Sequence, residues 1–244
     1  MSFLPGYASK IYANEKAVCA TVSAWSAQHQ RAVSQVTAMC QTSGTGAASY
    51  VPGLMSGTLT MSGPQDSVGQ NLHAEIAGAI GSDNALQVTL PPDGDTIGKW
   101  AVFGVFDPTE WTNDASVADA VNFTLSAAAD QSIDQGFVIH GHGAETADGN
   151  GTAVDRVLPV SSTGGMFAVL HVTAYSGLTS ADLKIQHSTD NSVWADLVAF
   201  TSVTAVGNQT ATVAAGTTIN RYLRVVTDVT GTGSITFLAA AGPR

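Results

Sequence analysis

Charge is what this 244-residue sequence has least of: 11% of its residues are Asp, Glu, Lys or Arg, where a globular domain ordinarily carries about a quarter. The deficit is not that of a disordered chain, which avoids apolar residues and is rich in charge, because 44% of this sequence is apolar. Gly, Ala, Ser and Thr fill the gap. A surface so poor in charge reads as one that other subunits cover. Cysteine is also scarce. Cys19 and Cys40 form no CxxC pair, which excludes a zinc site of the usual spacing and points to buried thiols in a protein made in a reducing cytosol. The opening MSFLPGYASKIYANEK has no basic start followed by an apolar run, so no secretory signal is expected. No stretch approaches the ~18 to 20 apolar residues that a membrane-spanning helix needs.

Basic residues are missing mainly from the first part. Between Met1 and Asn150 four of them (Lys10, Lys16, Arg31, Lys99) face fourteen acids, whereas Gly151 to Arg244 carries five of each sign. The first part should repel nucleic acid, since binding proteins neutralise phosphates with Lys and Arg. An ordinary DNA-binding role is excluded. A surface past which DNA slides is not.

What the chain does have is alternation. Val121, Phe123 and Leu125 alternate with Asn122, Thr124 and Ser126; Leu183 and Ile185 with Lys184 and Gln186; Ile235 and Phe237 with Ser234 and Thr236. Each run predicts a strand with one buried face, and Gly, Asn or Asp clusters separate the runs. The exception is Gln70 to Ile80, where Leu72, Ile76, Ala79 and Ile80 sit at helical spacing and Gly81 can close the helix. The expected fold is mainly β: a sandwich or barrel domain with one short flanking helix, followed by a C-terminal antiparallel sandwich, Ig-like or jelly-roll-like. His140 to Thr152, HGHGAETADGNGT, is glycine-rich, nearly free of large apolar residues, and coincides with the change in charge balance. It predicts a join, with domains at 1–145 and 153–244 and a Gly-rich linker at 146–152. Strands of the second unit are expected around Phe167–Ala174, Ala181–Ser188, Ala195–Phe200, Gln209–Val213, Tyr222–Thr227 and Ser234–Ala239.

No catalytic constellation emerges. There is no GxSxG elbow, no cysteine in an active-site setting, and no glycine-rich loop between a strand and a helix. Asp83, Asp93, Asp95, Asp107, Asp114 and Asp119 stand in turn-like contexts where Asp is common anyway. His140 and His142, with Glu145 and Asp148 behind them, are suitable metal ligands by type, but their spacing matches no closed site. They are read as linker residues; neither metal nor cofactor is expected. In Ile185 to Leu197 a strand ends in a Ser188-Thr189-Asp190-Asn191 turn and Trp194 opens the next. Trp194 suits the face of a sugar ring and equally a place over the edge of the core, the preferred reading.

Two sets of residues carry a resemblance. The segment Ser49 to Gly63, SYVPGLMSGTLTMSG, is similar to the tyrosine and Pro-Gly loop that leads into an alternating strand early in the tail tube (major tail) proteins of long, non-contractile-tailed bacteriophages. It follows the strand pair expected to carry Cys19 and Cys40 and precedes the Leu72–Ile80 helix. The segments LKIQHSTDNSVWADLVAF and NRYLRVVTDVTGTGSITFLAAAG resemble the extra C-terminal sandwich of some such proteins. The resemblance implies a non-enzymatic virion protein, assembled in host cytoplasm. Copies would close into homohexameric rings and stack into a tube through which viral DNA passes without specific binding. Tape measure, terminator and distal tail proteins would cap the ends. It also implies that the loop at Gln41 to Gly57 makes ring-to-ring contacts, with Tyr50, Pro52, Gly53 and Gly57 as its candidate residues and Gly44, Gly46, Gly53 and Gly57 supplying mobility. The acidic first unit would line the channel, and the near-neutral second unit would face outward, toward host surface glycans if it binds anything. The alternatives are a carbohydrate-binding or decoration protein acting through Trp194, and, well behind it, a secreted β-sandwich hydrolase.

Overall fold

The computed structural model describes residues 6–18, 22–36, 49–65, 72–83, 86–115, 120–130, 133–156 and 164–244; Cys19, Cys40, Gly44 and Gly46 lie outside them. Strand follows strand: β1 Tyr12–Ala13, β2 Lys16–Ala17, β3 Ala24–Val36, β4 Ser49–Pro64, then helix α1 Leu72–Ala79, then β5 Leu86–Leu90, β6 Trp100–Asp114, β7 Asn122–Ala129, β8 Asp134–Glu145, β9 Gly149–Asn150, β10 Val154–Asp155, β11 Met166–Ser188, β12 Ala195–Ala199, β13 Gly207–Val213 and β14 Tyr222–Pro243. The described strand pairs are all antiparallel. The fold is mainly β, as periodicity predicts.

The first half builds a sheet in the order β3-β4-β7-β6-β5-β1-β2. Alternation decides its faces. Leu59, Met61, Phe123, Leu125 and Ala127 are buried with Leu86, Val88 and Phe106 in one apolar cluster, over which α1 lays Ile76. Trp111 of β6 joins them, stacked 4.6 Å from Phe123 and tilted against His73 of the helix at 5.0 Å. Gly81 ends the helix with φ +83°, a conformation that costs glycine nothing.

The sheet does not close into a barrel. Strand β6 changes partners along its length: Trp100–Phe103 pair with β8, Leu86–Leu90 of β5 lie against Val102–Phe106, and Phe106–Asp114 run beside β7. Its bulge falls between Pro108 and Glu110, where proline lacks the N–H that a regular ladder needs. A strand that swaps neighbours branches the sheet instead of completing a ring.

In the second half, four of the six expected strands are two. Phe167–Ala174 and Ala181–Ser188 belong to the continuous β11, and Tyr222–Thr227 and Ser234–Ala239 to β14. These long strands pair with each other from Met166↔Pro243 to Ser188↔Tyr222, with bulges around Val172 to Ser180. The Ser176-Gly177 and Gly231-Thr232-Gly233 clusters, which fall between the expected strands, make a corner in a bent ribbon. Gly177 has φ +73°, and a Cβ on Gly233 would stand 1.9 Å from the Ser176 carbonyl oxygen, so only glycine passes there. Beyond the corner the two arms of the ribbon share one core. Ala168, Leu170, Val172, Ile235 and Phe237 from one arm cluster with Leu183, Ile185, Leu223 and Val225 from the other.

The glycine-rich run His140–Thr152 is not a loose join. His140 to Glu145 complete β8 and pair with Ile235 to Ala239, Gly149 and Asn150 pair with β14, and Asp148 accepts the Val229 N–H at 2.8 Å. Its glycines serve close packing: a Cβ on Gly141 would meet the Asp95 carbonyl oxygen at 2.7 Å. A third apolar cluster, with Tyr12, Ala101, Phe103, Val138, Phe167, Val169, Leu238 and Ala240, joins strands from both halves.

Candidate functional site

Opposite the apolar face of the β3-β4-β7-β6 sheet lies a face of another kind. The registers align its residues in rows. Ser26 pairs with Thr60, Thr60 with Ser126, and Ser126 with Glu110. Gln28 pairs with Thr58, Thr58 with Ala128, and Ala128 with Asp107. Ser62 pairs with Thr124, Thr124 with Thr112, and Asn122 with Asp114. These positions are exposed or half-buried while their neighbours in sequence are mostly buried. Among the described residues the result is a wall of hydroxyls and amides carrying three carboxylates, Asp107, Glu110 and Asp114, and no Lys or Arg. Its field is repulsive to phosphate.

β3 and β4 continue past that wall. Among the described residues β4 pairs with β7 only from Thr58 to Pro64, and β3 pairs with β4 alone. Residues 29–36 and 49–57 therefore form a two-stranded ribbon about 25 Å long at ordinary strand rise. Between Lys16 and Asp66 the only charged residue is Arg31, and its Nε–H donates to the Gly53 carbonyl at 3.2 Å. Val33, Leu54 and Met55 are 62%, 87% and 51% exposed. Natural sheets protect such edges with charge, proline or cover. Pro52 lies here, paired with Val33 at a bulge.

The ribbon corrects the expectation of a mobile loop at Gln41 to Gly57. From Ser49 onward the segment is strand, and Pro52-Gly53 makes no turn. Tyr50 stands opposite Gln35. Gly53 lies against Ala32, whose carbonyl oxygen would be 3.1 Å from an added Cβ. Gly57 is buried, and a Cβ there would come within 2.9 Å of Ala129 and Ile133. Two of the glycines expected to loosen a loop therefore permit close packing in a strand. Gln41 to Ala48 lie outside the described residues.

Trp194 sits just before β12, with the Arg224 guanidinium 4.2 Å over its ring. Two nitrogens of that guanidinium also donate to Gln186 Oε1, at 2.7 and 3.0 Å, so one face of the indole is already occupied. The turn before it is closed by side-chain hydrogen bonds. Asp190 accepts from Ser188, Ser192 and Val193, which holds its carboxyl far below the usual carboxylate range, the Val193 and Ser192 backbone N–H groups first among the causes.

The linker histidines are built into the sheet. His140 is buried, stacks 4.0 Å from Phe237 and bonds Glu145 at 3.0 Å; His142 bonds Thr173 Oγ1 at 2.8 Å. Among the described residues no three His, Cys, Asp or Glu side chains are placed to hold a metal ion.

The sequence gives no sign of the polar junction between the halves. His171 of β11 is fully buried. Its Nδ1–H donates to the Asn14 carbonyl at 2.6 Å, which leaves Nε2 to accept from Thr89 Oγ1 at 2.7 Å. Gln87 Nε2 donates to the Leu170 carbonyl at 2.9 Å, Asn208 donates to Gln87 Oε1 at 3.3 Å, and the Tyr12 hydroxyl donates to Asp95. Burial pushes the His171 imidazole down to about 4, against the opposing effect of the Asn14 carbonyl. A groove of about 230 Å³ opens beside this network, lined by Gln87, Val105, Asn208, Gln209 and Thr210.

No protein-family model and no curated protein matches the sequence. Among the solved structures similar in backbone are virion and tail proteins. A chain from the virion of a native gene transfer agent particle is 14% identical, with 54% of this chain and 97% of that one covered and a TM-score of 0.43. A chain from the tail of the empty particle, which has C6 symmetry, is 16% identical over 47% and 81%, with a TM-score of 0.38. The Dit protein of SPP1, described as a paradigm of the hub adsorption apparatus in phages that infect Gram-positive bacteria, is 7% identical over 96% and 99%, with a TM-score of 0.35. At these scores the likeness assigns neither a family nor an activity.

Proposed function

We propose that this protein is a structural, non-enzymatic subunit of a phage tail tube, polymerising as stacked hexameric rings around a channel for genome ejection. The observation that carries the reading is the β3–β4 ribbon. It exposes Val33, Leu54 and Met55, bears one charge, and leaves the outer edge of β3 unpaired among the described strands. A second copy seated along that edge would complete its hydrogen bonds and bury its exposed apolar side chains. The hydroxyl-and-carboxylate wall continuous with the ribbon suits a channel lining: it repels phosphate and offers DNA no cation to grip. In this reading residues 1–145 are the tube unit and Tyr50, Pro52, Gly53 and Gly57 lie in the stacking element. Residues 153–244 face outward, held firmly because β8 and β14 pair across the boundary. Assembly would take place in host cytoplasm, with tail-end proteins capping the tube.

Negative-stain microscopy of the concentrated protein tests the proposal. Rings or hollow tubes are expected for the wild type, and only monomers, with the same thermal stability, for Leu54→Asp. A wild-type protein that stays monomeric at all concentrations and salts overturns it.

A further inference from the structure

Arg156 follows β10 and is 3% exposed, yet its Nε and Nη1 have no hydrogen-bond partner and no solvent contact. Its backbone is fixed, the N–H donating to the Arg221 carbonyl at 3.2 Å. The carboxylate beside it in sequence is turned the other way. Asp155 is exposed where Val154 and Arg156 are buried, and Arg221 holds it through two hydrogen bonds of 2.6 and 2.7 Å.

Val154 and the half-buried His187 flank Leu223 in one row of the sheet, and Arg156, buried on the same side as Val154, comes next along that edge. The Asn220 N–H donates to its Nδ1 at 3.2 Å, so the neutral ring carries its proton on Nε2. The imidazole is pushed down by burial and then by the charge of Arg156. The other acid near in sequence, Asp190, commits its oxygens to Ser188, Ser192 and Val193. The guanidinium and the imidazole thus stand beside two acids, Asp155 and Asp190, that are both engaged elsewhere.

A buried cation with unanswered N–H groups is strongly destabilising unless an acceptor reaches it. We propose that Arg156 and His187 form a binding site for a small oxyanion, either free phosphate or a carboxylate supplied by another chain. The planar guanidinium fork suits two oxygens of either group, and the His187 Nε2–H supplies a further donor. This site is independent of the tube reading and lies in the other half of the chain from the β3–β4 ribbon.

The test is thermal unfolding of the full chain in sodium chloride, with phosphate or acetate replacing chloride at constant ionic strength. The wild-type midpoint should rise and saturate, as it does when a ligand binds only the native state. A rise with phosphate alone identifies a phosphate site, and a rise with acetate alone a carboxylate site. Arg156→Met should show neither rise, and in chloride it should melt no lower than the wild type. No rise over chloride in the wild type, or an equal rise in the variant, overturns the proposal. A second readout needs no variant. The NMR titration of the His187 ring, which burial and the charge of Arg156 hold down, should move to higher pH in the stabilising anion; an unmoved titration also overturns it.

Discussion

The ring of His171 reaches back 157 residues to hydrogen-bond the carbonyl of Asn14 at 2.6 Å. The bond ties the turn between β1 and β2 to the long ribbon of the second half. The neutral ring is satisfied at both nitrogens, which fixes its tautomer.

Acid should loosen this junction. The unfolded His171 takes up a proton near pH 6.5, while the buried ring resists until about 4. Stability from this residue is therefore complete above pH 6.5, declines as the pH falls toward 4, and levels off below that. The loss across the window is on the order of 3 kcal/mol. Urea unfolding from pH 7.5 to 4 would show the decline in the wild type and a shallower one in His171→Gln.

Asp134 and Arg244 are a second tie. Asp134 is 6% exposed, and Arg244 donates to it at 3.0 to 3.2 Å while lying 4.3 Å over the Phe167 ring. Asp134→Ala removes a buried partner from a cation, and the loss should be about 2 kcal/mol, discounted because Arg244 is partly exposed. Calorimetry would register it as a lower unfolding midpoint, and high salt should weaken the wild type only slightly.

Gly57 separates close packing from mobility. A methyl group there must push against Ala129 and Ile133, so Gly57→Ala should destabilise the subunit by about 1 to 3 kcal/mol. Gly57→Ala with Ile133→Val should recover part of that loss. An alanine variant as stable as the wild type would mean that the strand tolerates the side chain and that packing is not the reason for glycine.

The carboxylate wall predicts how assembled protein treats DNA. Wild-type assemblies should not retain duplex DNA at low salt. Replacing Asp107, Glu110 and Asp114 by lysine should create retention that falls steeply as salt rises, since each phosphate contact releases counterions. Filter binding across a salt series measures it. Retention by the wild type would show that this face is not the repulsive one.

Period-two alternation was enough to place β7, the second arm of β11 and the last strand with their buried faces, because a half-buried strand writes its pattern locally. The helix was legible for the same reason at a period of 3.6, with Ile76 buried where the spacing put it. Glycine is ambiguous in one dimension: Gly141 falls in the stretch that reads as a join, and Gly177 and Gly233 fall between expected strands. In the fold they are places where two backbones approach too closely for a Cβ, and that is a property of both strands.

The scarcity of charge that marks this sequence was likewise legible, but not its arrangement. Only the strand registers bring Thr60, Ser126 and Glu110 into one row, and only the sheet shows that Arg31 is the single charge on an exposed ribbon. His171 sits in a plain apolar strand and Arg156 beside an ordinary acid, so neither announces itself. Their roles come from burial and from which partners tertiary structure supplies or withholds. The sequence by itself determined which residues turn inward, since that follows from the nearest neighbours along the chain. Which polar groups meet, and which buried charge is left without a partner, was decided by strands far apart in sequence.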